Sequence, residues 1–243
     1  MSDDVLSLLD DAADRAARAL DANSDWSLVA RDHAAQYGHD LVADAAVLEV
    51  LGGSGVRILS EESGWSGDES AAVTVIVDPV DGSTNASLGI PHWCVSLLAV
   101  DAEGPVAAVV LNPVNGERYR AVSGKGATLG DETIHASGCD ELRRAVVGLT
   151  GAPGGRQGWA QFRAMGSAAM DMCFVAAGRL DGFYAAYGLA LWDYGGAALV
   201  CEEAGATLGL RSGNAVYELG DQRRQVLVGA TATLHEQLLQ AVR

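Results

Sequence analysis

The stretch Asp78-Pro79-Val80-Asp81-Gly82-Ser83-Thr84-Asn85 carries the strongest structural signal in the chain. It follows an apolar run at residues 73–77, which is typical of a buried strand bounded by turn residues. Two carboxylates therefore leave the end of that strand, and Pro79 fixes the backbone between them. Gly82 permits a tight turn, and Ser83 is a residue type that begins helices. Carboxylates beside a helix N-terminus indicate a hard cation next to a bound anion, so the stretch predicts a phosphate site built through metal.

Further carboxylates stand at the ends of two other predicted elements. Glu61 and Glu62 follow an apolar strand at residues 56–60, and Asp193 begins an apolar helix at residues 193–204. An aspartate-proline pair alone is typical of an acidic turn with a helix cap. The additional carboxylates, remote from it in the chain, favour a shared metal site over scattered surface acids.

The rest of the chain alternates between helical and extended patterns. Apolar spacing predicts further helices at residues 5–20, 40–51, 165–177 and 234–242. Apolar runs bounded by turn residues predict further strands at 94–101, 105–111, 117–122, 145–149, 182–187, 207–210 and 225–228. The polar residues 64–70 predict an exposed, mobile loop over the site. Alternation of this kind indicates sheets covered by helices, an α+β fold.

Together these motifs resemble the inositol monophosphatase family of Mg²⁺-dependent, often lithium-sensitive phosphatases. The resemblance covers most of the chain, and its segments occur in family order: Glu61-Glu62-Ser63, residues 78–85, residues 166–173 and Trp192-Asp193. It implies a layered αβαβα sandwich, the fold of sugar phosphatases such as fructose-1,6-bisphosphatase. We expect one catalytic domain, 1–243, with an N-terminal half at 1–144 and a C-terminal half at 145–243. The resemblance also implies a homodimer.

The resemblance assigns roles to individual residues. It implies two or three Mg²⁺ ions, with Mn²⁺ as a substitute, and in-line attack on phosphorus by a metal-bound water. The first ion would bind Glu61, Asp78 and the Val80 carbonyl, and the second Asp78, Asp81 and Asp193. Glu61 and Ser83 would orient or deprotonate the water, and Asp44 is the candidate ligand of a further, weaker ion. A solvated aspartate on a helix face is an equal interpretation of Asp44. The implied substrate contacts are Gly82, Ser83, Thr84, Gly166, Ser167, Ala168 and Ala186.

The substrate is less well defined than the catalytic core. Ser83-Thr84-Asn85 is nearer the inositol-phosphate type than other branches, so inositol monophosphate is the expected substrate. Inositol phosphatases commonly carry a glutamate at the position of Ala186, where it binds a sugar hydroxyl, and loss of that acceptor weakens discrimination. Fructose 1,6-bisphosphate, histidinol phosphate and 3′-phosphoadenosine 5′-phosphate therefore stay open as alternatives. A non-catalytic scaffold would have lost a metal carboxylate, and none is missing.

The charge and composition of the chain limit the classes of partner that it can bind. The formal net charge is −16, from 32 acidic and 16 basic residues, which argues against binding to nucleic acid or to an anionic membrane surface. Bound divalent ions would reconcile this charge with an anionic substrate. The four cysteines form no C-x-x-C pair, and no signal peptide or membrane-spanning run is visible, so we expect a cytoplasmic protein. A single lysine among 16 basic residues is consistent with a GC-rich bacterial genome.

Overall fold

Five layers, alternately of helices and sheets, stack in the computed structural model. The structure describes residues 2–23, 26, 28–30, 36–155, 157–213, 215–220 and 222–242. The first layer contains α1 (Ser2–Asp21) and α2 (Gly38–Leu51), with the short paired strands β1 (Leu28–Ala30) and β2 (Gln36–Tyr37) between them in the chain. Helix α1 is amphipathic, and the face that it buries consists of Leu9, Ala12, Ala13, Ala16 and Leu20.

The second layer is an eight-stranded sheet. Its strands are β3 (Arg57–Ser60), β4 (Gly64–Gly67), β5 (Thr74–Asp81), β6 (Cys94–Asp101), β7 (Gly104–Leu111), β8 (Arg118–Val122), β9 (Gly126–Leu129) and β10 (Glu132–Thr133). They lie in the order β10-β9-β8-β7-β6-β5-β3-β4, and every pair is antiparallel except β3 and β5. Helices cover both faces, so the central strands are continuous apolar runs.

Strand β5 carries the residues that begin the site. Its ladder with β6 is regular up to Asp78 and then shifts register before Asp81, so the backbone between the two carboxylates leaves the ordinary pairing. Side chains alternate along the strand: Ile76 enters the core between the two sheets, whereas Val75 and Val77 face α1 and α2. After Gly82 the chain turns directly into the short helix α3 (Ser83–Ser87).

The three remaining layers belong to the second half of the chain. The middle helices are α4 (Ala168–Ala176) and α5 (Leu191–Glu203), and α6 (Ala232–Ala241) covers the outer face. Between them lies a five-stranded sheet in the order β12-β11-β13-β15-β14. Its strands are β11 (Val146–Thr150), β12 (Gln161–Arg163), β13 (Gly182–Ala185), β14 (Thr207–Leu210) and β15 (Val226–Gly229). A 3₁₀ turn at Leu142–Arg144 lies between the strands of the two sheets in the chain.

Two glycines let α5 approach the large sheet closely. A Cβ atom on Gly196 would lie 2.9 Å from Ser96 Oγ and 3.1 Å from the Leu97 carbonyl oxygen. A Cβ on Gly195 would lie 2.9 Å from Leu98 Cδ2. The absence of side chains at these two positions therefore allows α5 to pack closely on β5 and β6.

The observed elements differ from the predicted ones in a few places. The loop predicted at residues 64–70 is wrong in part, because Gly64–Gly67 forms β4 and pairs with β3. Helix α4 begins at Ala168 and not at residue 165, and the strands β9, β10 and β12 are among those that were not predicted. Strands β10 and β12 are short and exposed, so neither has an apolar pattern to reveal it. Within the described residues, no helix combines the length and hydropathy that a membrane span requires.

Candidate active site

Three carboxylates from three separate elements meet at one edge of the large sheet. Glu61 follows β3, Asp78 lies near the end of β5, and Asp193 lies in the first turn of α5. One oxygen from each is within 4.8 Å of the others. The parallel pairing of β3 and β5 explains the first two, since both strands end at the same edge, and the Glu61 amide donates to the Val77 carbonyl at 3.0 Å. The third carboxylate, Asp193, reaches this place because Gly195 and Gly196 let α5 pack closely on the large sheet.

A fourth carboxylate, Asp81, adjoins this cluster and is held by α4. Its Oδ2 accepts hydrogen bonds from Ser167 Oγ at 2.5 Å and from the Ala169 amide at 2.7 Å. Ser167 is the N-cap of α4 and is buried, with its side chain also accepting from Met170. The hydroxyl of Ser167 thus orients Asp81, which favours a supporting role for this side chain over direct contact with a substrate.

The turn after β5 places Gly82, Ser83 and Thr84. Gly82 has φ +97°, and a Cβ there would lie 3.1–3.2 Å from Trp93, Gly166 and Ser167, so only glycine fits without movement. Gly166 and Ala168 line the same cavity as Asp81 and Asp193. Ser83 Oγ donates to the Val80 carbonyl at 2.9 Å, and the Val80 amide donates to Asp78 Oδ1 at 3.1 Å. Thr84 Oγ1 is 3.4 Å from the hydroxyl of Tyr37.

Helix α2 contributes two buried aspartates, and they occupy different positions. Asp44 Oδ1 accepts from Ser60 Oγ at 2.5 Å, behind the strand end that carries Glu61. Asp40 accepts from the Tyr37 amide at 3.0 Å, and Ser83 lies near enough to influence its pKa. The structure therefore places Asp40, not Asp44, beside the hydroxyl that was predicted to act. Sequence reasoning missed Asp40 because an aspartate in the first turn of a helix is normally explained as a cap.

A cavity of about 300 Å³ opens in front of Asp81 and Asp193. Its walls are Leu149, Thr150, Gly151, Ala164, Gly166, Ala168, Tyr187, Leu189 and Arg223. Ala186 is not among them: it lines a neighbouring cavity, and its carbonyl accepts from Gln225 Nε2 at 2.6 Å. The position that carries a hydroxyl-binding glutamate in inositol phosphatases is thus apolar here and turned away, and Tyr187 stands at the wall instead.

The cluster is electrostatically crowded. Burial, and then repulsion from Asp193 and Glu62, raises the pKa of Glu61 to about 8. Burial is also the main cause that raises the pKa of Asp81 to about 7, of Asp193 to about 6 and of Asp40 to about 7. Burial and repulsion from Glu61 and Asp81 hold the pKa of Asp78 well above its usual range. The Glu61 side chain reaches solvent, which screens its charge, whereas Asp78 is enclosed.

The donor set fits a hard divalent cation. Every side-chain ligand in the cluster is a carboxylate oxygen, the donor that Mg²⁺ and Mn²⁺ prefer, and there is no thiol or imidazole among them. Among the described residues, the ion pair between a basic side chain and this cluster is that of Arg223 with Asp193. Its Nη1–Oδ2 distance is 3.6 Å, which is too long for a hydrogen bond. Carboxylates whose ionised forms repel one another at neutral pH need a positive charge between them.

Comparison with known proteins agrees with this geometry. The sequence profile of the inositol monophosphatase family matches residues 39–243. An inositol-1-monophosphatase of Mycobacterium bovis is 36% identical over 213 residues, which cover 77% of this chain and 70% of that protein. The Nus factor SuhB of Pasteurella multocida is 34% identical over 184 residues, 68% of each chain.

Solved structures show the same fold. The extragenic suppressor protein suhB of Bartonella henselae superposes with a TM-score of 0.88 at 27% identity, covering 99% of this chain and 98% of that one. An inositol monophosphatase from Anabaena gives a TM-score of 0.81 at 27% identity, with 98% and 95% covered. The layered αβαβα fold expected from the sequence is therefore confirmed. The chain is a phosphatase and belongs to the inositol monophosphatase family.

Proposed function

We propose that this phosphatase is Mg²⁺-dependent and hydrolyses a small phosphate monoester, with inositol monophosphate as the first candidate. One observation carries the proposal: Glu61, Asp78 and Asp193 bring oxygens to within 4.8 Å of one another from elements far apart in the chain. Members of this family act on small phosphate esters, and a relative with 36% identity is named inositol-1-monophosphatase.

The residues that would hold the cations are those of the cluster. Glu61, Asp78, Asp81 and Asp193 offer carboxylates, and the Val80 carbonyl stands at the break in the β5 ladder. Asp81 is preorganised for this task because α4 fixes one of its oxygens. Bound divalent cations would neutralise charge on the phosphoryl oxygens and lower the pKa of a coordinated water. Whether Asp44 contributes to a third cation stays a prediction.

Glu61 and Ser83 are the proposed proton-handling groups. Glu61 follows the end of β3 and its side chain reaches solvent, so its carboxylate can contact a water bound at the cluster. The hydroxyl of Ser83 donates its proton to the Val80 carbonyl, and Asp40 lies nearby. Ser83 can therefore accept a hydrogen bond from the attacking water while it donates to the Val80 carbonyl, which orients the water's lone pair. Asp40, beside this hydroxyl, is the proposed acceptor of the proton that the water releases.

Backbone groups are the proposed contacts of the scissile phosphate. Gly82 and Ser83 present amides at the tight turn, and Gly166 and Ala168 line the cavity opposite. Glycine at residue 82 keeps this wall open, because any side chain there would contact Trp93 and Ser167. A small anion held between the two walls would lie beside the carboxylate cluster, with the rest of the substrate directed toward Tyr187 and Arg223.

A second candidate role comes from the relatives named Nus factor SuhB. That name does not itself require hydrolysis. The complete acidic set favours the phosphatase, since a chain kept only for assembly has no need of four mutually repelling carboxylates. Lithium inhibition and a homodimer remain predictions from the family.

The test is phosphate release from a panel of monoesters, with and without Mg²⁺ and Li⁺. Wild type and Asp131→Asn, an exposed carboxylate far from the site, should hydrolyse at least one ester in a Mg²⁺-dependent manner. Asp193→Asn should lower kcat by at least about a hundredfold, because it removes one oxygen charge from the cluster. Equal rates in Asp193→Asn and Asp131→Asn would contradict the proposal.

A further inference from the structure

A guanidinium group stands at the wall of the catalytic cavity. Arg223 lines it together with Asp81, Asp193 and Tyr187. Its Nη1 is 3.6 Å from Asp193 Oδ2, and the side chain is 58% exposed. That separation is longer than a hydrogen bond, so Arg223 is only loosely paired with Asp193, whose own side chain is 15% exposed. The planar donor fork of Arg223 can therefore turn toward a ligand.

The backbone around Arg223 is fixed, although its side chain is not. Arg224 and Leu189 form an antiparallel bridge with N–O distances of 2.9 and 2.7 Å. Gly188 permits this approach, since a Cβ there would lie 2.7 Å from the Cβ of Arg223. The neighbouring Arg224 is buried and bonds Glu218 and Tyr194. Two successive arginines thus have separate tasks: one holds the segment in place, and the other faces the cavity.

Apart from Asp81 and Asp193, the described lining of this cavity contains no carboxylate. Ala186 is apolar, and it lines a neighbouring cavity and not this one. Leu149, Leu189 and Tyr187 supply apolar and aromatic surface instead. Among the described residues that line the cavity, Arg223 is the only cation. Beyond the carboxylate cluster, the wall therefore offers a positive charge and no carboxylate acceptor for a polyol.

We propose that Arg223 makes this enzyme select phosphate esters that carry a second anionic group, a carboxylate or a second phosphate. The inference rests on the proposed phosphatase function and names the substrate class of the same site. With the scissile phosphate beside the acidic cluster, the guanidinium fork pairs with the distal anion in two parallel hydrogen bonds. Asp193 keeps the guanidinium near the cavity until the substrate arrives.

The experiment compares esters that differ only in the second anion. One pair is 3-phosphoglycerate and glycerol 3-phosphate, and the other is fructose 1,6-bisphosphate and fructose 6-phosphate. Wild type should show the higher kcat/KM for the doubly anionic member of at least one pair, and the pair concerned distinguishes carboxylate from phosphate. Arg223→Gln should lower that kcat/KM by about tenfold to a hundredfold, mainly through KM. The singly anionic ester should change by about threefold at most.

Further variants sharpen the comparison. Arg223→Lys should retain part of the preference, because lysine supplies charge without the fork, and Arg223→Glu should lose more than Arg223→Gln. Arg143→Gln removes an exposed arginine that pairs with Glu141 away from the cavity, and it should behave as wild type. Equal losses for both members of a pair in Arg223→Gln would overturn the proposal and assign Arg223 to Asp193 alone. A wild type without preference for either doubly anionic ester would overturn it too.

If the proposed phosphatase function is wrong, the result differs from that expected when only the Arg223 proposal is wrong. In that case no ester releases phosphate, and titration calorimetry with the non-hydrolysable phosphonate analogues of 3-phosphoglycerate and glycerol 3-phosphate decides the matter. Tighter binding of the doubly anionic analogue by wild type than by Arg223→Gln would uphold the role of Arg223. Equal affinities in the two proteins would reject it.

Discussion

At the scale of single residues, Asp40 and Asp44 lie one turn apart on α2, and both are buried. Their spacing puts them on the same helix face, so the sequence alone cannot tell which one reaches the site. The structure separates them by their surroundings: Asp40 lies near Ser83, whereas Asp44 accepts a hydrogen bond from Ser60. The choice of Asp44 made from the sequence is therefore open to a direct test.

The test compares Asp40→Asn with Asp44→Asn. Asparagine keeps an oxygen that can accept from the Tyr37 amide or from Ser60, so both variants should fold, and only the charge is lost. We expect Asp40→Asn to lower kcat about a hundredfold, as loss of a positioned proton acceptor does, and Asp44→Asn to stay within about threefold of wild type. Thermal unfolding of both variants controls for stability. A larger loss of kcat in Asp44→Asn would return the role to Asp44.

The strand ends that carry Glu61, Asp78 and Asp81 could be predicted because local patterns specify them. An apolar run that ends in a carboxylate fixes where the strand stops, and family order supplies the rest. Arg223 could not be found in this way. Its place at the cavity depends on the bridge between Leu189 and Arg224, a long-range contact that leaves no trace in local composition.

At the scale of elements, strand β4 is a second feature that local sequence patterns could not predict. Gly64–Gly67 has no apolar alternation, yet it pairs with β3, and the guanidinium of Arg57 lies 4.0 Å from the ring centre of Trp65 across that pair. A cation–π contact between adjacent strands replaces the buried apolar face that sequence reasoning looks for. The predicted mobile loop is thus, over Gly64–Gly67, a hairpin strand at the edge of the large sheet.

Helix α5 is the element that brings Asp193 to the cluster, and its glycines set how close it comes. We expect Gly196→Ala to lower the free energy of unfolding by about 1–3 kcal/mol, since the new methyl meets the Leu97 backbone, which cannot move aside cheaply. Gly195→Ala is the matched control: its methyl meets the flexible Leu98 side chain, and the gain in helix propensity of about 1 kcal/mol offsets the cost. Urea unfolding measures both.

The same pair of variants reports on the site. If α5 moves away from the sheet in Gly196→Ala, Asp193 moves with it, and the Mg²⁺ concentration for half-maximal activity should rise more than in Gly195→Ala. A Gly196→Ala protein as stable as Gly195→Ala, with unchanged Mg²⁺ dependence, would show that close packing of α5 does not position the carboxylate.

At the scale of the whole molecule, the acidic cluster couples stability to pH and to metal. The raised pKa values mean that the folded, metal-free protein holds protons that the unfolded chain has released. Ordinary carboxyl groups ionise near pH 4, whereas Asp193, Asp81 and Glu61 do so at about 6, 7 and 8. Between these limits the folded state binds more protons, so stability falls as pH rises. The net charge of −16 acts in the same direction through self-repulsion.

We therefore expect the Tm of the metal-free protein to fall between pH 5 and pH 8. A loss of about 2 kcal/mol corresponds to about 4–8 °C at this chain length. Asp78→Asn, which removes the most enclosed charge, should flatten this dependence, and Asp131→Asn should leave its slope as in wild type. Mg²⁺ at pH 8 should restore the Tm of wild type but not of Asp78→Asn, because the cation supplies the charge that protons supply at pH 5. A wild-type slope in Asp78→Asn would place the pH dependence in the general surface charge and remove the cluster from the explanation.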